Sequence, residues 1–172
     1  LPEAVAARTV LALALLAQAE QHPQIFFLGM EVKPDRIYKA FEKSQERGVS
    51  NIAYLRSTVE KIPELKLPKA DHIYVLFPDP WPKKRHVHRR LSAPAFLDLY
   101  RELLNPHGQF TFKTDDLELF EYSRESLLNH GWQILEDQRN FQTPPLERTS
   151  YEKKFRLRGK PIYYLRATFA HR

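Results

Sequence analysis

The feature that most constrains this chain is the regular interval at which short apolar runs recur between helical segments. Residues 25–32 (IFFLGMEV), 51–55, 72–77 (HIYVLF), 109–113, 132–137 and 162–170 read as strands. Short apolar runs bounded by breakers are the pattern of strands covered on both faces. Residues 2–21, 36–47, 93–104 and 117–129 read as helices between them. Pro34 suits a first helical turn and Gly48 a helix end. Ile37, Ala40 and Phe41 fall on one helical face, as do Phe96, Leu97, Tyr100, Leu103 and Leu104. Asn105, Pro106, His107 and Gly108 read as a turn. Strand and helix alternating in this way predict an α/β domain with a mostly parallel twisted sheet and helices on both faces.

In such sheets, ligands bind beyond the carboxyl ends of the strands. There the sequence places Glu31, the pair Ser57 and Thr58, the pair Pro78 and Asp79, and the pair Thr114 and Asp115. Acids at three of these four ends either cap the following helices or face one shared ligand rim.

The segment after the third strand carries the most chemistry. In residues 77–82 (FPDPWP), three prolines enclose one Asp and one Trp. Each proline fixes its own φ and restricts the residue before it. The loop is therefore stiff, and it holds the Asp79 carboxylate and the Trp81 ring at a strand end, as a functional site requires. Trp81 suits either stacking on a base or packing in the core. Lys83, Lys84, Arg85, Arg89 and Arg90 follow within eight residues. The formal net charge of the 172-residue chain is +6, and without these five it would be +1. Basicity concentrated beside a ligand rim is the footprint of a phosphate backbone, and Lys84, Arg85, Arg89 and Arg90 are the expected phosphate contacts. His86 and His88 are not expected to hold a metal, because the neighbouring cations would repel it, and no metal site is expected elsewhere. With no Cys in the chain, a thiol nucleophile, a disulfide framework and a zinc-thiolate site are excluded. The longest apolar run, residues 10–17, is far shorter than the roughly 20 residues that span a bilayer.

Three blocks of this sequence resemble the bacterial tRNA (guanine-N7)-methyltransferases. They are residues 77–86 (FPDPWPKKRH) with Arg89, Arg90 and Leu91; residues 112–115 (FKTD) with residues 119–122 (LFEY); and residues 149–155 (TSYEKKF) with Gly159, Ile162 and Tyr163. The resemblance runs from about Gln24 to Arg172, with the blocks in the family's order. It implies a Rossmann-like methyltransferase fold whose last strand is antiparallel. It also implies S-adenosylmethionine as cofactor, tRNA as partner, a cytoplasmic monomer or homodimer, and methyl transfer to N7 of a guanine in the tRNA variable loop. Carried over by position, Glu31 holds the cofactor ribose and Asp79 sits at the cofactor and catalytic centre. Lys83, Asp115, Thr149, Ser150, Tyr151 and Glu152 bind substrate, with Asp115 or Glu152 suited to reading guanine's N1–H and amino group. On the adenine side the family usually has an acid, whereas this chain has Ser57 or Thr58; Thr58 is the expected contact.

The family opens with a strand and a Gly-rich turn, but no Gly precedes Gly29 here. Residues 1–172 are therefore expected to form one S-adenosylmethionine-dependent domain whose first strand and Gly-rich turn lie outside this sequence. The competing expectation is a non-catalytic RNA-binding subunit with a degenerate cofactor site. An amino-group methyltransferase would leave the basic run and the last block unexplained.

Overall fold

The computed structural model describes residues 12–143, 148 and 150–169. Helix α1 (Ala12–Gln21) leads into strand β1 (Phe27–Glu31), and α2 (Pro34–Glu46) into β2 (Ile52–Arg56). A 3-10 turn (Val59–Lys61) and the one-turn α3 (Ile62–Leu65) precede β3 (Ala70–Leu76). A second 3-10 helix (Lys84–Arg89), α4 (Pro94–Leu103) and β4 (Leu104–Thr114) follow. The chain continues through α5 (Leu117–Asn129), β5 (Gln133–Gln138), α6 (Ser150–Leu157) and β6 (Tyr163–Thr168).

The expected strands and the helices α2, α4 and α5 are present; α5 matches to the residue, β4 begins five residues earlier than expected, and the other ends differ by one or two residues. Residues 2–11 of the expected first helix lie outside the described residues. The expected turn at residues 105–108 is absorbed into β4 as an irregularity. Ala70 pairs with Leu104 and His72 with Gln109, so the intervening residues loop out, and His107 takes φ 65°. Gly108 is required there, because a Cβ would lie 2.9 Å from the Asn105 carbonyl oxygen.

Alternation along β3 divides the layers, since successive strand residues face opposite sides. Ile73 and Val75 join Phe110, Phe112, Leu165 and Ala167 against α4 and α5, where Phe96, Leu97, Tyr100, Leu119, Phe120 and Leu127 complete the main core. Tyr74 turns the other way, toward the cluster of Leu15, Leu16, Ala19, Phe27 and Val49 under α1. Helices thus cover both faces. β1 and β2 run parallel, as do β3 and β4, and β6 lies antiparallel between β4 and β5.

One departure from a continuous sheet matters. Hydrogen bonding yields two sheets, β1-β2 and β3-β4-β6-β5, because β1 and β3 do not pair with each other. A cavity of about 520 Å3 is lined by Ile25 and Phe27 on one side and by His72 and Tyr74 on the other. The carboxyl ends of β1, β2, β3 and β4 nevertheless open toward the same rim.

Candidate active site

Two cavities meet at that rim and share Val32 and Asp79. The first, about 440 Å3, is lined by Glu31, Lys33, Arg36, Phe77, Pro78, Pro80, Asp115 and Phe155 besides the shared pair. The second, about 380 Å3, adds Thr58, Val59, Glu60, Trp81, Arg89 and Leu91. Glu31, Asp79 and Asp115, predicted from three separate strand ends, are therefore brought together.

Glu31 is buried at the end of β1. Its Oε1 accepts the backbone N–H groups of Val32 (2.8 Å) and Lys33 (3.1 Å), and its Oε2 lies 3.4 Å from Arg36 Nη1. These contacts fix the carboxylate at the start of α2, where the helix dipole favours negative charge. Thr58 faces the second cavity, whereas the Ser57 hydroxyl turns to the Thr58 carbonyl oxygen at 3.3 Å. Glu60 was not anticipated. It supplies an acid to the wall of the second cavity two residues beyond Thr58, and the signal was an acid within about one turn of the strand end.

The Pro-rich loop holds its shape at a conformational expense. Phe77 and Trp81 adopt left-handed φ values of 53° and 44°, which bulky L-residues rarely do. Asp79 stands exposed between the two cavities, and among the described residues no group hydrogen-bonds its carboxylate. Trp81 is half-buried at the second cavity, with the Arg89 guanidinium 5.0 Å from its ring centroid and the His86 ring at 5.6 Å. It belongs to the site wall and not to the core clusters.

The basic run divides in two. Lys83, Lys84, Arg85 and Arg89 are exposed, the last three on the 3-10 helix. Arg90 is buried, which corrects its expected role as a phosphate contact. Its Nε donates to the Pro80 carbonyl oxygen at 3.0 Å, and one Nη donates to the Trp81 carbonyl oxygen at 3.3 Å and to Glu118 at 2.6 Å. The guanidinium also lies 4.7 Å from the Tyr122 ring centroid. Arg90 thus clamps the strained end of the Asp79 loop to α5. The turn geometry after the 3-10 helix points it inward, and a run of cations does not reveal that.

Glu152 requires a similar correction. Expected at the substrate, it is fully buried beneath α6. Arg156, one turn on, donates to Glu152 Oε1 from Nε at 2.9 Å and from Nη2 at 2.8 Å, and Lys113 Nζ lies 4.0 Å from Oε2. Lys113 also donates to Thr143 Oγ1 at 3.0 Å and sits 4.8 Å from the Phe141 ring centroid. Burial of this charge is tolerated because it is paired on more than one side. The pair anchors α6, which sets Phe155 against Phe77 at 5.7 Å between ring centroids. Asp115 lines the first cavity and is paired with Lys160 at 2.6 Å. Thr149 lies outside the described residues, as do the side chains of Ser150 and Tyr151, which open α6.

A carboxylate at the end of β1, an apolar lining of Val32, Val59 and Leu91, and polar Thr58 and Glu60 fit a nucleoside-bearing cofactor, whose ribose diol Glu31 would hold. With an α/β sheet ending in an antiparallel strand, these features define a Rossmann-like, S-adenosylmethionine-dependent methyltransferase. Among solved structures the fold matches the 16S rRNA methyltransferase KamB with a TM-score of 0.76, at 16% identity over 99% of this chain and 89% of that one. It also matches a mutant 16S rRNA (adenine(1408)-N(1))-methyltransferase from Catenulisporales acidiphilia with its cosubstrate, with a TM-score of 0.72, at 18% identity over 99% and 87% of the two chains. The family described as "Putative methyltransferase" matches residues 12–165. The tRNA (guanine-N(7)-)-methyltransferase of Lactobacillus gasseri is 38% identical over 159 residues, 88% of this chain and 73% of that protein. The enzyme of the same name from Mycoplasma mobile is 38% identical over 162 residues, 89% and 78% of the two. The chain belongs to the tRNA (guanine-N7)-methyltransferase family.

Among the described residues, no helix is long and apolar enough to cross a membrane, and no cluster of His, Cys, Asp and Glu could hold a metal ion.

Proposed function

We propose that this protein transfers a methyl group from S-adenosylmethionine to N7 of a guanine in the tRNA variable loop, in the cytoplasm, where its tRNA substrate resides. The observation that carries the reading is the Asp79 carboxylate. Among the described residues it has no hydrogen-bond or ion-pair partner, and it stands at the junction of a nucleoside-sized cavity and a second cavity walled by Asp115 and Phe155.

S-adenosylmethionine supplies, when bound, a methyl group on a positively charged sulfur. Guanine N7 carries an in-plane lone pair and no proton, so no general base is needed. The chain's task is alignment and charge stabilisation. Glu31 orients the ribose, while Thr58 and Glu60 face the base. Asp79 stabilises the positive charge that develops on guanine as N7 is alkylated. Its rigid proline frame and the Arg90 clamp keep it from relaxing away, so little reorganisation accompanies the reaction. Asp115 lies on the wall where guanine's N1–H and amino group would be read, held there by Lys160. Lys83 lies at the start of the basic helix, within the segment that meets the tRNA.

The domain reading extends this proposal. A single methyltransferase domain would accept one further parallel strand between β1 and β3, with the Gly-rich turn that follows it at the cofactor. The separation of β1 and β3 into different sheets and the cavity of about 520 Å3 between them support that reading.

The test is methyl transfer from labelled S-adenosylmethionine to a tRNA transcript. Asp79→Asn keeps the size of the side chain and removes its charge. It is expected to lower kcat by about 100-fold, as loss of a charge-stabilising group does. Near-normal turnover by Asp79→Asn would remove the proposed role.

A further inference from the structure

The net positive charge of the chain is confined to two segments, of which only one is conspicuous in the sequence. Residues 83–90 hold five cations and no acid, and residues 150–160 hold five cations against Glu152 alone. With five and four net charges in these segments and a total of +6, the rest of the chain is net −3. The second segment is hidden because Phe155, Leu157 and Gly159 interrupt it.

α6 sorts these charges by helical spacing. Glu152 and Arg156, one turn apart, face inward and neutralise each other, and Phe155 faces the first cavity. Lys153 and Lys154 are left exposed on the opposite face, with Arg158 exposed just past the helix end. Among the described residues no acid pairs with any of the three. A merely solvated surface accounts poorly for cations that no described acid pairs, on an element whose inner face is held by the Glu152–Arg156 pair. The first cavity is bordered by α6 and the second by the 3-10 helix, and Asp79 belongs to both. Cationic elements therefore flank the reacting position on two sides.

We propose that Lys153, Lys154 and Arg158 form a second phosphate-binding arm, which grips tRNA on the α6 side of Asp79 while the 3-10 helix grips it on the other. The inference rests on the tRNA reading of the same site. Two arms, one beside each of the cavities that meet at Asp79, would press the backbone on both sides of the target nucleotide and present its base to Asp79. Contacts of this kind set position and affinity without reading sequence.

The test measures tRNA binding by fluorescence anisotropy at several salt concentrations, with methyl transfer followed separately. In the triple variant Lys153→Gln, Lys154→Gln, Arg158→Gln, the slope of log K against log salt is expected to become shallower by about 2, since each phosphate contact contributes about 0.7–0.9. Affinity is expected to fall at least about tenfold near 0.1 M salt on the same basis. Affinity for S-adenosylmethionine should be unchanged. Lys66→Gln with Lys69→Gln, just ahead of β3 at the opposite end of the strands, should leave both the slope and the affinity alone. Equal loss in the two variants, or none in the triple variant, would overturn the arm. So would loss of binding to phosphatidylglycerol vesicles with tRNA binding intact, because the patch would then meet a lipid surface. A wild-type protein that binds tRNA with this slope but transfers no methyl would contradict the proposed activity and leave the arm standing.

Discussion

Replacing Arg90 with Ala tests whether the last cation of the basic run holds the loop or touches RNA. The variant removes a side chain that is 4% exposed and makes three hydrogen bonds plus a ring contact. The Pro80 and Trp81 carbonyl oxygens each lose a charged donor, a loss of about 1.5–3 kcal/mol apiece. The contact with Tyr122 contributes about 1 kcal/mol more. The Glu118 carboxylate is 69% exposed and rehydrates, so its share is small. Pro80 and Trp81 are only half-buried, so their carbonyl oxygens partly rehydrate, which puts the expected loss at the low end of that sum, about 4 kcal/mol, within the range for breaking a buried charge contact. Trp81, at φ 44°, also loses the bond that holds its carbonyl, so the loop should leave the left-handed conformation. Urea denaturation with the m-value monitored measures the loss, and methyl transfer at low temperature measures the effect on the loop. Arg90→Lys should recover only part of both, since an ammonium cannot span the two carbonyls and Glu118 in the same plane. Arg89→Ala, an exposed neighbour, should weaken tRNA binding with stability within about 0.5 kcal/mol of wild type. Wild-type stability in Arg90→Ala with weakened tRNA binding alone would refute the clamp and restore Arg90 as a phosphate contact.

Tyr100 is fully buried, and among the described residues its hydroxyl has no hydrogen-bond partner. Tyr100→Phe should therefore raise stability by about 1 kcal/mol in thermal or urea unfolding. Burial, with Arg166 nearby, pushes the His72 pKa down to about 4 from its usual 6.5. Between these values the unfolded chain binds a proton that the folded chain does not. This contribution is therefore complete above pH 6.5 and shrinks as pH falls toward 4, by up to about 3 kcal/mol; His72→Phe should flatten that part of the stability profile. Glu60→Ala should weaken S-adenosylmethionine binding by about three- to tenfold in calorimetry, the effect of about one hydrogen bond, with tRNA affinity unchanged.

What the sequence revealed and what it hid follow from the kind of force at each place. α5 is legible to the residue because Asp116 caps it, accepting the Leu119 N–H at 2.8 Å, and because Leu119, Phe120 and Leu127 repeat at helical spacing. The strands are legible because they are short and apolar, and Asp79 because prolines surround it. α6 is not, since its inner face is an ion pair, Glu152 with Arg156, where pattern reading looks for apolar residues. Glu152 was expected at the substrate only by its position in the resembling block, and that position does not reveal its ion pair with Arg156. Arg89 and Arg90 are equivalent as letters, and only the carbonyl oxygens of Pro80 and Trp81, aimed at one of them, tell them apart. The break between β1 and β3 is a matter of backbone pairing, which residue types do not encode.

The most direct measurement is nucleoside mass spectrometry of tRNA incubated with the protein and S-adenosylmethionine, alongside the Asp79→Ala variant. The account predicts 7-methylguanosine at one variable-loop position with the wild type, and its near-absence with a variant that still binds both cofactor and tRNA. Methylation of any other base or atom, or equal 7-methylguanosine from the two proteins, would contradict it.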